Sequence, residues 1–469
     1  MIDLFRPRYF GDHTRFVVLF LAVLCHTFLK SNTIVLNFTI ICMSGNEAHA
    51  PAGAKYNYTK RQSAWLFSII AIGSLFGSVA TIVLSKFSKM RCLFTSFGII
   101  SALSTALTPM AASYGFYWLL YVRFLEGFAT AVTYPAMGAF TSHWSTLKQA
   151  GLYVVIQNAC VQLGPLFTMP VSGLLCSSSF GWQWVFYIHG LCTAVCFGVF
   201  WLFYRNSPYE HFCVSERELK KIQEGRHIND RVRHRVPYGK VLTSLPIIGV
   251  WISYIAIASG YNLFTQYGPI YLNKVLGYNL SETGFAGAAP FLIAIVSKLL
   301  AGPISDYTTC VSQRARVLFL AITSQVQLIV CFLLMAFLPK STAVGAFLAC
   351  YCVAINANAM SATGTLKSGQ LVAAQHSHFV MAIINMIHAV TILLLPHLVN
   401  AIAPDNTHSQ WSMVFLICGT IVGVCQLCFV FVARAEPAQW TKETKLSVHP
   451  IDGLNLVASR SPSRSSMDA

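Results

Sequence analysis

The chain has 469 residues, of which 55% are apolar and only 10% are charged, and its formal net charge is +16. A soluble globular protein has about 25% charged residues, so this composition excludes a set of ordinary soluble domains and indicates a membrane protein. The excess of Lys and Arg is accounted for by loops on the cytoplasmic side of a membrane, and nucleic acid is not expected as a partner.

Twelve apolar runs follow one another along the chain, each near the roughly 20 residues that cross a bilayer as a helix. The runs are apolar on all sides, whereas a β-barrel requires alternation over about ten residues. We therefore predict an all-α polytopic membrane protein with twelve transmembrane helices in two six-helix halves. The predicted spans are 16–42, 62–84, 92–113, 116–141, 151–176, 182–204, 244–270, 283–304, 316–338, 342–366, 378–401 and 411–433.

A basic stretch separates span six from span seven. Its middle, SERELKKIQEG, predicts a short surface helix with Ser215 as N-cap, Glu218 completing a capping box and Gly225 at its end. The predicted organisation is a cytoplasmic arm (1–15), a first half (16–204), a linker (205–243), a second half (244–433) and a disordered cytoplasmic tail (434–469).

Lys and Arg are concentrated on one side of this topology. They place both termini, the linker and the tail in the cytoplasm, although the first outer loop also carries three basic residues. Two glycosylation sequons, at Asn57 and Asn279, fall in outer loops of the same topology. A third, at Asn37, lies inside span one and is interpreted as a chance match. The distribution of Lys, Arg and sequons is the same for a plasma membrane and for an intracellular vesicle membrane, so both locations stay open.

Neither the cysteines nor the known catalytic motifs indicate an enzymatic reaction or a metal site. The chain has 15 Cys, most of them in apolar spans, and the CxxC spacing of Cys425 and Cys428 lies within span twelve. We favour small apolar packing there over a redox or metal site. HExxH, GxSxG in a strand–turn–helix setting and P-loop motifs are missing from the sequence, so neither an enzyme nor a cofactor is predicted.

Two charged residues stand in the first half of span four, in YVRFLEGFATAVTYPAMGAF. An ionised group at the centre of a membrane helix costs roughly 2.5–3.5 kcal/mol. Arg123 and Glu126 are three residues apart, so they share a helix face and can pair. They are interpreted either as part of a functional site or as a structural ion pair.

Two lysines also lie within spans. Lys30 is near the middle of span one, with His26 one turn before it on the same face, and its neighbours in sequence offer no negative partner. We favour a functional site for Lys30. Lys298 lies near the cytoplasmic end of span eight, where snorkelling to the interface is favoured over a site.

Uncharged polar and small residues complete the set of candidates. For Tyr261 and Asn262 in span seven, hydrogen bonding to a neighbouring helix is favoured over contact with a ligand. The Gly73-x-x-x-Gly77 pattern in span two predicts close approach of a neighbouring helix. The prolines within spans are tolerated breaks of the kind that discontinuous transporter helices use: Pro135, Pro165, Pro170, Pro269 and Pro290.

The layout of six plus six helices around a basic linker resembles the major facilitator superfamily. Within it, the chain resembles the anion:cation symporter family, to which sialin, the vesicular glutamate transporters and the sodium–phosphate cotransporters belong. The resemblance covers most of the chain in order. The stretches that carry it are VRFLEGFATAVTYPAMGAFTSHW, MPVSGLL, GWQWVFYIHG, SPYEHFCVSERELKKIQ, VPYGKVLTSLPI, PIYLNKVLGYN, GPISDY and QWSMVFLICG.

The resemblance implies alternating access around a central cavity lined by spans 1, 4, 7 and 10. Lys30 and Arg123 are then the positive charges of an anion site, with Tyr261 and Asn262 as further substrate contacts. It also implies a cytoplasmic latch made of Asp306 with Arg314 and Arg316.

The chain departs from the family pattern at several charged positions. Thr130 stands where the family usually has Glu, and Val35 where a basic residue is expected near the end of span one. We hypothesise that the acid has moved one turn, so that Glu126 pairs with Arg123 and carries a coupled proton, with His26 as a second ion-coupling residue.

The predicted function is secondary active transport of a small organic anion or phosphate, coupled to H⁺ or Na⁺, by a monomer in the lipid bilayer. The missing family charges favour an alternative, a paralogue that binds a ligand or partner and no longer transports. An integral membrane enzyme is the least favoured reading.

Overall fold

A computed structural model describes residues 10–43, 56–146, 149–224, 237–307, 312–339, 343–434 and 436–441. The helices before the linker form the first half. They are α1 (Thr14–Met43), α2 (Lys60–Leu84), α3 (Met90–Tyr114), α4 (Phe116–Thr130), α5 (Thr133–Trp144), α6 (Ala150–Gln157), α7 (Cys160–Ser177) and α8 (Gln183–Phe203).

The second half has the same number of spans. The short helices α9 (Glu216–Gln223) and α10 (Tyr238–Leu242) precede it. Its helices are α11 (Leu245–Ile270, continued by a π-helical turn over Tyr271–Val275), α12 (Leu280–Tyr307), α13 (Gln313–Phe337), α14 (Ala343–Ser361), α15 (Lys367–Ala373, joined to α14 by a second π-helical turn), α16 (Ser377–Ile402) and α17 (His408–Val432).

Eleven helical segments of the described residues are long and apolar enough to cross a membrane. The remaining predicted span, over 116–141, is divided into α4 and α5 at residues 131–132, so neither piece has the length of a spanning helix. It is also the span that carries Arg123 and Glu126. The predicted all-α fold with twelve spans is confirmed, with span four built from two helices.

The close approach predicted for Gly73 and Gly77 is confirmed. A methyl group added at Gly73 would lie 2.1 Å from the carbonyl oxygen of Phe124 on α4, and one at Gly77 would lie 2.3 Å from that of Phe128. Gly127 faces back toward α2, where an added methyl group would lie 2.1 Å from the carbonyl oxygen of Ile70. The two helices therefore meet backbone to backbone, which fixes the position of α4.

The start of the linker is attached to the first half by the carboxylate of Glu218. Ser215 caps α9 as predicted, accepting a hydrogen bond from the Glu218 amide at 3.1 Å. The Glu218 carboxylate does not complete the predicted capping box; it accepts from the amides of Thr14 and Arg15 at 3.2 and 2.8 Å. These two amides lie at the start of α1, where backbone N–H groups have no acceptor within the helix. Gly225, predicted to end α9, lies outside the described residues.

A buried histidine packs the same segment against α5 and α8. The Cys213 amide donates to His211 Nδ1 at 3.2 Å, so the ring proton is on Nε2, which donates to the Phe203 carbonyl at 3.1 Å. Burial lowers the pKa of His211, which agrees with this neutral tautomer. The ring of Trp144 contacts His211 edge-on, so the residues that follow α8 belong to the packing of the first half.

The two halves contact each other mainly where α7 meets α12 and where α2 meets α16, and also where α1 meets α11. Where α7 meets α12, a methyl group added at Gly173 would lie 2.7 Å from the carbonyl oxygen of Leu280. Where α2 meets α16, the Ser68 hydroxyl donates to the carbonyl of Leu393 at 2.8 Å. Both contacts lie toward the ends of the helices that the sequence predicts to be outside.

A disulfide joins Cys42 at the end of α1 to Cys176 at the end of α7, with a Cα–Cα distance of 6.0 Å. The two cysteines are 134 residues apart in the chain, and their pairing is not predicted by the sequence. Cys425 and Cys428 are free thiols. No group of three or more metal-ligating side chains occurs among the described residues.

Candidate functional site

A short polar segment of α1, Lys30 to Thr33, is the point at which four helices of the first half meet. The Ser31 hydroxyl is hydrogen-bonded to that of Thr168 on α7. The Asn32 amide donates to Ser101 on α3 at 2.8 Å and to Thr193 on α8 at 3.0 Å. Asn32 is not among the residues predicted from the sequence, because a lone Asn in a span gives no sign of its partners.

The Arg123–Glu126 pair lies directly behind this segment. Both side chains are fully buried and form an ion pair. The Arg123 guanidinium also donates to the backbone carbonyls of Thr33 at 2.9 Å and Asn32 at 3.5 Å. The Thr108 hydroxyl donates to the other Glu126 oxygen at 3.2 Å. The pair thus connects α4 to α1 and α3 and fixes the position of the segment that carries Lys30.

Lys30 is directed away from this pair, toward the second half. It is half-buried, and its Nζ lies 5.9 Å from the centre of the Tyr261 ring on α11. His388 of α16 is close enough to Lys30 for their charges to interact. Glu126 is the only buried acidic side chain of the spans among the described residues, and it is paired with Arg123. Lys30 is therefore a cation without a described acidic partner, positioned between the halves.

Tyr261 contacts the first half through a backbone acceptor that a proline leaves available. Pro165 has no N–H group, so it cannot donate the helical hydrogen bond that the carbonyl of Val161, four residues earlier, would otherwise accept from it. The Tyr261 hydroxyl donates to that carbonyl at 3.0 Å. Asn262 beside it is 2% exposed, and its Nδ2 has no hydrogen-bond partner among the described residues.

His26 lies one turn before Lys30, as predicted, but is fully buried between Phe94 and Phe140. Its Nδ1 is 2.6 Å from the Ala22 carbonyl oxygen, and its Nε2 is 3.1 Å from that of Thr133. A neutral imidazole has a single N–H, so only the protonated ring can donate to both carbonyls.

The snorkelling interpretation of Lys298 is wrong. Its side chain is only 8% exposed, and its Nζ donates to the side-chain oxygen of Asn158 at 2.7 Å. It also reaches the Asn158 carbonyl at 3.3 Å and the Gln162 side chain at 3.5 Å. Lys298 extends across to the first half because these acceptors lie within its reach, and their position was not visible from the sequence around α12.

The other predicted site residues lie away from this region. Asn57 and Asn279 are both exposed, and the Asn279 side chain caps the first turn of α12 by accepting from the Glu282 amide at 2.8 Å. The side chains of the predicted latch residues, Asp306, Arg314 and Arg316, lie outside what the structure describes.

The sequence matches one family model, described as "Major Facilitator Superfamily", over residues 19–396. This region contains Lys30, the Arg123–Glu126 pair, Tyr261 and Lys298.

Individual proteins resemble the chain more distantly but over most of its length. It is 26% identical over 411 residues to sialin from Ovis aries, covering 84% of this chain and 79% of that protein. It is 24% identical over 463 residues to sodium-dependent phosphate transport protein 1 from Homo sapiens, covering 92% and 95%. Among solved structures, an inward-facing, unoccupied bacterial homologue of the human lysosomal transporter Spinster superposes with a TM-score of 0.69. That structure is 14% identical, and the match covers 89% of this chain and 97% of that one.

Proposed function

The chain belongs to the major facilitator superfamily, and from this premise we propose that it is a secondary active transporter of a small organic anion or phosphate that works by alternating access. This superfamily consists of transporters and not enzymes, in agreement with the prediction from sequence. The names of its relatives, sialin and a phosphate transport protein, support an anionic substrate.

The observation that carries the proposal is the position of Lys30. A half-buried ammonium between two halves that must move relative to each other is costly unless an anion compensates it. Charge-assisted hydrogen bonds from Lys30 bind a carboxylate or phosphate group there, and Tyr261 supplies a hydroxyl and a ring from the opposite half. Asn262 is a further candidate contact on the same helix. All these groups come from one chain, so a monomer suffices.

Arg123 and Glu126 couple this site to an ion, in our proposal. Protonation of Glu126 removes the charge that holds Arg123, which also bonds the α1 carbonyls next to Lys30. The released guanidinium becomes available to the anion, which links proton and substrate binding. His26 is the second candidate for the coupled proton, because its ring faces two carbonyl acceptors.

A second candidate function is a membrane protein that binds an anion or a partner without transporting it. It is favoured by two positions at which the family charge is missing. Val35 is fully buried in the apolar core, and the Thr130 hydroxyl is bonded to the Gly127 carbonyl of its own helix at 2.7 Å. Neither residue contributes a charge to the site.

Replacing Lys30 with methionine is expected to abolish uptake of the transported anion while the protein still folds. The measurement is uptake of a panel of labelled anions into reconstituted vesicles under imposed pH and Na⁺ gradients. The matched control, Lys60→Met, removes an exposed lysine at the start of α2 and should leave uptake unchanged. Equal uptake by Lys30→Met and wild type would refute the anion site, and folded wild type that transports none of the panel would favour the second function.

We also propose that both termini are cytoplasmic. The proposal is supported by the basic linker and by the disulfide at the predicted outer ends of α1 and α7, since disulfides persist in oxidising compartments. In cells, Asn57→Gln and Asn279→Gln are each expected to remove one endoglycosidase-sensitive glycan, because both sequons are exposed on the outer side. A tag in the 205–243 linker that is accessible from outside unpermeabilised cells would contradict this orientation.

A further inference from the structure

Lys298 is a second ammonium at the boundary between the halves, and it is buried. It belongs to α12 of the second half, but its three hydrogen-bond acceptors belong to Asn158 and Gln162 of the first half. All three acceptors are uncharged oxygens. They stabilise the ammonium as hydrogen-bond partners, but they do not neutralise its charge.

Lys30 of α1 contacts the same stretch of the first half. A methyl group added at Gly164 on α7 would lie 3.1 Å from the Lys30 Cγ, so the glycine leaves the space that the lysine stem occupies. Asn158 and Gly164 are six residues apart, which is about 9 Å along a helix. Cys160 lies between these two positions in the sequence, and both ammonium groups are close enough to interact with its thiol. Two cations, one from each half, therefore converge on one segment of span five.

The charges around this segment do not balance. Glu126 is the only buried carboxylate of the spans among the described residues, and it is paired with Arg123. Lys30 and Lys298 together bring two positive charges, and like charges held near each other in a site of low polarity disfavour one another. A singly charged anion would neutralise one of them and leave the other with neutral acceptors only.

The geometry points to a substrate with two negative charges that bridges Lys30 of the first half and Lys298 of the second. This inference rests on the proposed transport function and makes Lys298 a residue that determines specificity. Asn158 and Gln162 hold the Lys298 ammonium when no substrate is bound. A carboxylate or sulfate-like oxygen replaces them, because an anionic acceptor both accepts the hydrogen bond and neutralises the ammonium charge, which an amide or carbonyl oxygen does not. The class includes dicarboxylates and inorganic dianions.

The test compares two probes with the same carbon skeleton, succinate and its monomethyl ester, together with sulfate as an inorganic dianion. Counterflow of each is measured in vesicles containing wild type, Lys298→Met or the control Lys60→Met. We expect wild type and Lys60→Met to prefer succinate over its monoester by at least about tenfold, the range of a hydrogen bond between charged groups. Lys298→Met should lose this preference while it still exchanges the monoester. Sulfate exchange at the succinate rate assigns the site to dianions in general, and much slower exchange assigns it to dicarboxylates.

A purely structural Lys298 gives a different pattern. Removing its bonds to Asn158 and Gln162 would then lower exchange of succinate and monoester by the same factor, and Asn158→Leu would reproduce the loss. An unchanged preference in Lys298→Met, or a wild type that exchanges both probes equally, overturns the inference while leaving anion transport in place. A folded wild type that exchanges none of the three probes or any other anion contradicts the proposed function itself.

Discussion

Replacing Glu126 with glutamine is expected to destabilise the protein by about 3–5 kcal/mol, because it leaves the Arg123 charge buried without its counter-ion. The pair is fully enclosed by α1, α3 and α4, so water cannot replace the carboxylate. The remaining partners of Arg123 are backbone carbonyls, which carry only partial charges. The measurement is thermal unfolding of the purified protein in detergent, with Glu216→Gln as a control for loss of an exposed acid.

The double variant Arg123→Gln/Glu126→Gln separates stability from coupling. It removes both charges, so we expect most of the lost stability to return, since neutral groups replace a buried ion pair at little cost. If the pair couples an ion to the anion, the double variant should still exchange anion at the Lys30 site, more slowly because Arg123 is no longer available to the anion, but it should fail to accumulate anion in a pH gradient. Normal accumulation by a folded double variant would show that the pair is structural only, and an unchanged melting temperature for Glu126→Gln would contradict its role as counter-ion.

Replacing Gly73 with alanine is expected to prevent normal packing of α4 on α2. The added methyl group would overlap the Phe124 carbonyl, and a backbone atom in the middle of a helix cannot turn aside as a side chain can. Overpacking of this kind costs about 1–3 kcal/mol or more, and the displaced α4 carries Arg123 and Glu126. We expect a sharply lower melting temperature and loss of transport together.

Gly138→Ala and Gly198→Ala provide the controls for this result. Nothing lies within 4 Å of a methyl group added at either position, and alanine is favoured over glycine within a helix by about 0.5–1 kcal/mol. Their melting temperatures should be unchanged or higher. If Gly73→Ala behaves like these two variants, then α2 and α4 do not meet as closely as the structure shows.

The features that sequence could predict are those with a local cause. The length and apolarity of each run are sufficient to predict a spanning helix, and the spacing of Gly73 and Gly77 places both on one face. Ser215 was recognised as an N-cap because the partner of a cap lies only three residues away. The same local reasoning predicted that Arg123 and Glu126 share a face and pair.

The features that sequence could not predict depend on partners distant in the chain. Lys298 was misinterpreted because its acceptors are about 140 residues away in the other half. Glu218 forms bonds with the start of α1, about 200 residues earlier, although local spacing favoured its own cap. The Cys42–Cys176 disulfide required knowledge of which helix ends come together. Hydropathy reports that a residue is buried, and it contains no information on which residue it is buried against.

The hydrogen bond between Tyr261 and the Val161 carbonyl has a consequence for water in the transport cycle. This contact joins the two halves, and Pro165 means that the carbonyl has no helical donor to return to when the halves separate. An unpaired carbonyl or hydroxyl in hydrocarbon costs several kcal/mol. Separation at this level is therefore favourable only where water already reaches both groups, so we expect hydration of this contact to precede its opening. The proline at position 165 thereby makes the rate of opening sensitive to the wetting of a single turn of span five.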